Sequence, residues 1–452
     1  MRPPERNEEL TLTIDGLGSE GQGIGRHEGF AVFVPFALPG ERVRAHVVKP
    51  GKSYAVAKLI DIIEKSPERA EPVCPVFGRC GGCELMHFSY PAQLEFKRGE
   101  VENALRRIGG FKDVSANPVI GMDEPLRYRN KASFPFAVVD GKARFGFYAP
   151  RSHRLIPLDD CPIQQKPLVD CAKAVRKWAN VCGVSVYNEE TGFGALRHAV
   201  ARGNKAGEVM VAVVTNGALP HREELIRMLR EGVPGLASIV HNRNDQNTNV
   251  IFGARFETVW GKERLEETVR GLSFDVSAAS FLQVNPEQTE KLYREVEALL
   301  PGESGNVIDV FCGTGTITLL AARKAEQAVG IECVREAVED AVRNAAKNNV
   351  TNARFVCGDA AEVLPKLVSA DFSPDVVILD PPRKGCDPAV LEALVASGAK
   401  RLIYVSCDPA TLARDCKRLR EGGYELKSVQ PVDMFPQTAH VECVVLMSRE
   451  ED

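Results

Sequence analysis

Short apolar runs separated by glycines occupy the first part of the chain. Residues 10–14 alternate with period two, and residues 31–36, 41–48 and 53–60 are further runs of strand composition. The glycines of residues 16–25 predict a tight turn region. Four or five short strands so close together predict a small OB-like β-barrel, a fold that commonly binds oligonucleotides.

Residues 91–110 predict a helix, because apolar positions recur at spacings of seven, four and three residues between a proline and a glycine pair. Residues 125–260 are rich in strand-like runs, with two helical segments between them. We therefore expect a central α+β domain after the barrel. The barrel pattern itself resembles a TRAM domain, an OB-like RNA-binding module found on RNA-modifying enzymes.

From residue 271 onward, apolar strands alternate regularly with helical segments. This order predicts a doubly wound, largely parallel sheet whose site lies at the carboxyl ends of its strands. The fold class is thus multidomain α/β. We expect domains at residues 1–66, 67–270 and 271–452.

Composition narrows the class of protein. Among 452 residues, 44% are apolar and 26% charged, as in soluble globular proteins. No apolar run is long enough to span a membrane, and the first six residues do not resemble a secretory signal, so we expect a cytoplasmic protein. The 13 cysteines are scattered and odd in number, which favours thiols, metal ligands or a nucleophile over disulfides.

Net charge is −4, which gives no global sign of a nucleic-acid partner. Residues 42–58, however, hold five Lys or Arg and no acid, and residues 126–166 hold eight against three Asp. Within the second patch, residues 127–131 combine cations with a tyrosine that could stack a base. Each patch fits either a phosphate backbone or a solvated face.

Three cysteines, Cys74, Cys80 and Cys83, have the spacing C-x5-C-x2-C, and Cys161 is a fourth candidate ligand. Zinc sites more often use two C-x-x-C pairs. Three clustered cysteines and a distant fourth fit a [4Fe-4S] cluster better. Zinc, or no metal, remains an alternative.

A glycine turn follows the strand that ends near Asp309, and the next strand ends at Glu332. Gly313 and Gly315 would let a ligand approach the backbone, and Glu332 could bind both hydroxyls of a ribose. Thr318 stands where a dinucleotide fingerprint needs its third glycine, which favours a nucleoside without phosphates. The turn and the ribose-binding acid resemble those of a class I S-adenosylmethionine methyltransferase, which implies that Asp359, after the third strand, lies near the adenine amine.

Cys407 lies in a turn directly after an apolar strand, and Asp380, held between a strand and two prolines, ends the strand before it. A lone cysteine is more often a small buried hydrophobe. A thiolate that adds to C6 of a uracil makes C5 nucleophilic, and a base must later remove the C5 proton. Glu442 is the candidate base and His440 an alternative, although each taken alone fits an ordinary surface residue.

The motifs together resemble the RNA uracil-5-methyltransferase family. They occur in the family's order: residues 281–285 (FLQVN), DVFCGTG, GIE, DPPR, VSCDPAT and DMFPQTAHVE. The resemblance implies that Gln283, Phe311, Glu332 and Asp359 bind S-adenosylmethionine and that Asp380 lies beside cofactor and base. It also implies that Cys407 is the nucleophile and Glu442 the base.

Within that family, a TRAM domain and a four-cysteine Fe–S site resemble the 23S rRNA enzymes. We therefore expect methylation of a uridine C5 in 23S rRNA by a monomer that binds RNA and no membrane. The alternatives are tRNA uridine methylation and a catalytically inactive RNA-binding relative. A cytosine-C5 enzyme would carry a different proline-cysteine arrangement, and a radical enzyme would use C-x3-C-x2-C.

Overall fold

The computed structural model describes residues 3–369 and 372–449. The expected outer domain bounds at residues 1 and 452, and Met1 and Arg2 of the expected non-secretory start, lie outside the described residues. Where exactly the chain divides into domains stays a prediction.

Five strands form a closed N-terminal barrel in the order β1-β2-β3-β5-β4. They are β1 (Glu9–Leu17), β2 (Gly23–His27), β3 (Phe30–Val34), β4 (Arg42–Pro50) and β5 (Tyr54–Glu64). The expected turn region therefore contains a strand, β2. Its glycines permit close packing: a Cβ on Gly25 would come within 2.8 Å of the Thr13 carbonyl oxygen on β1. Glycine here serves barrel closure rather than a turn.

A buried ion pair ties the barrel to the segment that follows it. Glu41 is fully buried, and its Oε1 lies 2.5 Å from Arg69 Nε. Arg69 also donates to the Phe36 carbonyl oxygen at 2.7 Å. Burial alone would raise the pKa of Glu41, but hydrogen bonds from Arg69 and the Leu38 amide hold it below its usual value.

The central part of the chain begins with helix α1 and continues as a seven-stranded sheet of order β12-β11-β10-β9-β6-β7-β8. Helices α2 and α3 pack on this sheet, with Trp178 among the fully buried residues of their shared core. The elements are α1 (Tyr90–Arg107), β6 (Lys131–Val139), β7 (Lys142–Tyr148), β8 (Leu155–Pro157), α2 (Lys166–Val181), β9 (Leu196–Gly203), β10 (Val209–Thr215), α3 (Arg222–Gly232), β11 (Leu236–Arg243) and β12 (Arg255–Gly261). Sequence patterns missed β8, β9 and β12.

A hairpin and one helix lead into the second large sheet. They are β13 (Leu265–Val269), β14 (Leu272–Val276) and α4 (Pro286–Leu299). The sheet and its helices then alternate: β15 (Ser304–Val310), α5 (Thr316–Ala321), β16 (Ala325–Glu332), α6 (Arg335–Lys347), β17 (Ala353–Cys357), α7 (Ala360–Ser369), β18 (Val376–Leu379), α8 (Pro388–Ser397), β19 (Arg401–Ser406), α9 (Pro409–Glu421), β20 (Glu425–Val432) and β21 (Glu442–Ser448).

The order of this sheet is β17-β16-β15-β18-β19-β21-β20. Strands β15 to β19 are mutually parallel, whereas β21 runs antiparallel to β19 and β20. Two apolar cores lie on its faces, one around Tyr404 and one around Val405. The predicted doubly wound methyltransferase-like sheet and the OB-like barrel are confirmed. Among the described residues, no helix is long and apolar enough to cross a membrane.

Candidate active site

The sheet order brings Cys407, Asp380 and Glu442 to one edge. Strands β18 and β19 are parallel neighbours, so Asp380 and Cys407 both follow carboxyl ends of adjacent strands. Strand β21 runs the other way, and Ser406 pairs with Cys443. Glu442 at the start of β21 therefore lies beside Cys407. Cys407 and Glu442, which are 35 positions apart in the chain, meet because an antiparallel strand adjoins the parallel strands here.

Cys407 occupies the turn between β19 and α9. Asp408 caps that helix and accepts hydrogen bonds from the amides of Ala410 and Thr411 at 3.0 and 2.9 Å. The Ser406 hydroxyl donates to the Asp408 carbonyl oxygen at 3.1 Å, which fixes the other side of the turn. The thiol is only partly buried, so it is not the small core hydrophobe that a lone cysteine usually represents.

The groups around Cys407 shift the pKa of its thiol in opposite directions. Burial, and after it the neighbouring carboxyl of Glu442, raise the pKa of the thiol to about 11. The guanidinium of Arg383 acts the other way and lowers that pKa. The sequence assigned no role to Arg383, although it ends the DPPR motif.

Two carboxyl groups of this edge have pKa values near neutrality. Glu442 is 3% exposed, and burial, with the nearby charge of Asp380, raises its pKa to about 8. Burial likewise raises the pKa of Asp380 to about 7. A group whose pKa lies close to the working pH can both hold and accept a proton, which is what a general base needs.

His440 also lies at this edge. Its Nε2 is 3.4 Å from an Arg383 nitrogen, and its ring meets Phe435 edge-on at 6.2 Å between centroids. Burial and the charge of Arg383 lower the pKa of His440, so it is neutral at physiological pH.

A second group of predicted residues surrounds the glycine turn after β15. Gly313 and Gly315 have φ values of 54° and 85°, and Phe311 has a φ of 69°. Glu332, at the end of β16, accepts a hydrogen bond from the Gly313 amide at 3.1 Å and one from the Val334 amide at 2.9 Å. A Cβ on Gly313 would meet nothing within 4 Å in the described part of the chain, so the turn leaves room for a ligand.

Asp309 and Thr318 explain the missing third glycine. The Thr318 hydroxyl donates to Asp309 Oδ2 at 2.6 Å, and both residues are buried. Burial raises the pKa of Asp309 to about 7, and its Oδ1 has no hydrogen-bond partner among the described residues. A buried carboxylate oxygen without a partner fits a bound donor such as an ammonium group.

The two remaining predicted cofactor residues, Asp359 and Gln283, lie on other segments of the chain. Asp359 is exposed just beyond β17, where it accepts a hydrogen bond from the Ala361 amide at 2.8 Å. Gln283 is 8% exposed, in the link between β14 and α4.

All four predicted ligand cysteines, Cys74, Cys80, Cys83 and Cys161, line one cavity of about 440 Å³. Burial, and to a smaller extent the charges of Cys74 and Cys80, raise the pKa of Cys161 to about 11. The effect of these charges reflects the proximity of Cys74 and Cys80 to Cys161. No three or more His, Cys, Asp or Glu in the described ranges are placed to hold a metal ion. The cavity continues toward the sheet edge that holds Cys407, since Arg383, Phe435 and His440 share its wall.

Comparison with known proteins agrees with this geometry. The family described as tRNA (Uracil-5-)-methyltransferase matches residues 253–450, and the TRAM domain matches residues 3–60. An uncharacterized RNA methyltransferase of Halalkalibacterium halodurans is 46% identical over 98% of each chain. Another, of Clostridium acetobutylicum, is 44% identical over 99% of this chain and 98% of its own.

One solved structure matches almost the whole chain. It is the Pyrococcus abyssi tRNA (uracil-54, C5)-methyltransferase in complex with S-adenosyl-L-homocysteine, with a TM-score of 0.78 and 29% identity over 97% of this chain and 100% of that one. Relatives of this similarity over the full length, a matching catalytic-domain family and the strand-end geometry lead to one conclusion. The chain belongs to the RNA (uracil-5-)-methyltransferase family, whose members take the methyl group from S-adenosylmethionine.

Proposed function

We propose that this enzyme methylates C5 of a uridine in 23S rRNA through a covalent bond between Cys407 Sγ and C6 of the base. The observation that carries the proposal is the pairing of Ser406 with Cys443, which sets a half-buried thiol beside the buried carboxyl of Glu442. Asp380 completes the edge from the adjacent strand.

The proposed methyl transfer proceeds by an addition to the uracil ring followed by an elimination. Cys407 Sγ, as thiolate, bonds to C6, and the electron pair of the C5–C6 double bond moves into an enolate, which makes C5 nucleophilic. S-adenosylmethionine supplies the methyl group to C5. Ionised Glu442 then takes the C5 proton, the double bond re-forms, and the C6–sulfur bond breaks to release Cys407.

Arg383 offsets part of the rise in the thiol pKa that burial and the nearby carboxyl of Glu442 cause. Its positive charge lowers the pKa of the thiol and favours the thiolate that attacks C6. Burial raises the pKa of Glu442 to about 8; its protonated form places no negative charge beside the thiol, whereas its ionised form raises the thiol pKa. Asp380, with a pKa near 7, can hold a polar edge of the base in either protonation state.

The residues around the glycine turn fit S-adenosylmethionine. Glu332 would bind the ribose, Asp359 the adenine amine, and Phe311 and Gln283 the remaining faces of the nucleoside. The orphan Oδ1 of Asp309 and the open space over Gly313 support a ligand with a cationic amino group at this point.

We also propose a [4Fe-4S] cluster on Cys74, Cys80, Cys83 and Cys161. Four thiols that share one cavity support it. The thiols do not converge as ligands of a single ion would, and in a cubane each thiolate binds a different iron and stands farther from the others. When bound, the cluster would join the 74–83 loop to Cys161. Anaerobically purified protein should absorb at about 400 nm; bound zinc without that absorbance contradicts this assignment.

Trapping with 5-fluorouridine tests the covalent mechanism. Fluorine at C5 cannot leave as a proton, so the wild-type enzyme should form an RNA–protein complex that survives denaturation. Cys407→Ala should form none and should lose methylation at least 1,000-fold, because addition to C6 is lost. Cys182→Ala, which removes a thiol from the far end of α2, is the matched control and should trap normally. Normal methylation by Cys407→Ala would refute the mechanism, and no activity on any RNA would indicate the inactive alternative.

A tRNA uridine is the second candidate substrate. It is favoured by the Pyrococcus abyssi structure, a tRNA enzyme that aligns with nearly the whole chain, barrel and central region included. The barrel and the cysteine loop therefore discriminate less between the two substrates than the sequence suggested. Mass-spectrometric mapping of 23S rRNA and tRNA from a deletion strain decides: a uridine left unmethylated only in tRNA overturns the rRNA assignment.

A further inference from the structure

Residues 433–442, here called the 433–442 segment, connect β20 to β21 and end at Glu442. This segment carries the proposed base but forms no regular element before Glu442. Its conformation must therefore be held by contacts from elsewhere. Five side-chain hydrogen bonds come from helix α1, more than 300 residues earlier in the chain, and others come from residues 84–85, 120–128 and 285–288.

A buried ion pair anchors the start of the segment. Lys97 on α1 and Asp433 are both fully buried, and Lys97 Nζ lies 2.5 Å from Asp433 Oδ1. Lys97 also donates to the Phe435 carbonyl oxygen at 3.0 Å, and the Tyr90 hydroxyl donates to Asp433 Oδ2 at 2.8 Å. Lys97 and Tyr90 thus donate hydrogen bonds to the two oxygens of the Asp433 carboxylate, and Lys97 donates another to the Phe435 carbonyl oxygen.

A second clamp holds the middle of the segment. Gln93 Nε2 donates to Gln437 Oε1 at 3.1 Å, and Gln93 Oε1 accepts the Gln437 amide at 3.0 Å. Gln437 has a φ of 72°, a left-handed conformation that a non-glycine residue holds only under constraint. The amide of Leu85 donates to the Gln437 carbonyl oxygen at 2.9 Å from the other side.

The net stability of the fold is not a sufficient reason for the buried Lys97–Asp433 ion pair. A buried ion pair contributes little net stability, because desolvation of the two charges offsets their attraction, but it fixes geometry. The geometry fixed here is the approach to Glu442, which must reach the C5 proton of the adduct. A displacement of about 1 Å at such a group is enough to slow proton transfer strongly.

We propose that Lys97, Tyr90 and Gln93 are positioning residues that place Glu442 for removal of the C5 proton. The inference rests on the proposed function, since it assigns these residues to the elimination step of that mechanism. Their loss should slow breakdown of the methylated adduct while leaving its formation nearly intact. The enzyme should then accumulate a covalent complex with ordinary uridine RNA.

The test compares Tyr90→Phe and the double variant Lys97→Met/Asp433→Asn with Tyr424→Phe. Tyr424 also donates a buried hydrogen bond, to the Ala399 carbonyl oxygen at 2.8 Å, and its hydroxyl is bonded to residues outside the 433–442 segment. The double variant removes both buried charges together, so no unpaired charge remains. Tyr90→Phe keeps the test valid if the double variant does not fold.

The full-length variants are mixed with uridine RNA and methyl-labelled S-adenosylmethionine, and label migrating with the denatured RNA–protein complex is followed over one turnover. We expect complex formation within about twofold of wild type and breakdown slowed at least tenfold in Tyr90→Phe and the double variant. Tyr424→Phe should break down at the wild-type rate. Breakdown at the control rate in the positioning variants overturns the inference. A wild-type enzyme that forms no complex with 5-fluorouridine RNA overturns the proposed function instead.

Discussion

At the scale of single residues, the site is built from acids that hold their protons unusually strongly. Asp309, Asp380 and Glu442 all have a pKa raised to about 7 or 8 by burial. Each of these acids would destabilise the fold when ionised. Their presence at one sheet edge therefore lowers the stability of the protein but provides groups suited to proton transfer.

Glu442→Gln should show this trade-off directly. The folded pKa of about 8 lies above that of an unfolded glutamic acid, so the folded state retains a proton that the unfolded state releases. The stability contributed by that proton is complete below about pH 4.5 and is lost as pH rises toward 8. The Glu442→Gln variant does not suffer this loss, so its stability relative to the wild type should be greater at pH 8.5 than at pH 4.5, by up to about 5 kcal/mol. Denaturant unfolding at both pH values measures it; an equal effect at the two would contradict the assigned pKa.

Arg383→Met should make Cys407 less reactive. Loss of the nearby positive charge raises the thiol pKa, and at fixed pH the thiolate fraction falls. We expect alkylation of Cys407 by iodoacetamide at pH 8 to slow by about 3–10-fold, a pKa change of roughly half to one unit. Peptide mass spectrometry follows Cys407 and Cys182 in the same sample. Arg383→Lys keeps the charge and should stay within about twofold of wild type, whereas unchanged reactivity of Arg383→Met would remove Arg383 from the mechanism.

At the scale of elements, the site depends on how strands end. The turn after β15 contains three residues with positive φ, and the turn after β19 has a helix cap directly after Cys407. Sequence patterns located both turns because their signals are local. They missed β2, whose glycines look like turn residues until the neighbouring strand β1 is packed against them.

Gly315→Ala should destabilise the glycine turn after β15 by more than the strain of its positive φ alone would. A Cβ there would lie 2.9 Å from the Phe355 ring at a φ of 85°. Gly398 has a similar φ of 71° after α8, with nothing within 4 Å, so Gly398→Ala isolates the backbone cost of about 1 kcal/mol. We expect Gly315→Ala to lose roughly 2–4 kcal/mol of stability and to bind S-adenosylhomocysteine at least tenfold more weakly by calorimetry. Equal behaviour of the two variants would show that the Phe355 contact relaxes freely.

At the scale of the whole molecule, the barrel and the central sheet lie on the chain before the catalytic domain and present cations that the net charge of −4 conceals. Arg44 on β4 and Lys58 on β5 are exposed on the barrel, whose strands β4 and β5 pair antiparallel. Such a face can follow a phosphate backbone.

Arg44→Gln/Lys58→Gln should weaken RNA binding and make it less sensitive to salt. Each cation–phosphate pairing that a substitution removes lowers the slope of log affinity against log salt by about 0.7–0.9, so we expect a decrease of roughly 1.5. Lys417→Gln/Arg418→Gln, two exposed cations of α9, are the charge-matched control. Fluorescence anisotropy across 50–300 mM salt measures both; identical slopes for the two double variants would exclude the barrel face from RNA binding.

Local signals in the amino-acid sequence were enough to predict the family, the cofactor turn and the order of strand ends. These features follow from apolar period, glycine spacing and motif order, and from the rule that parallel strands end at one edge. How the parts act together emerged only from the folded chain. Arg383 reaches Cys407 from another loop, Thr318 replaces a glycine because Asp309 lies beneath it, and α1 holds the 433–442 segment across more than 300 residues. Such contacts form between residues far apart in the chain, so no local pattern records them.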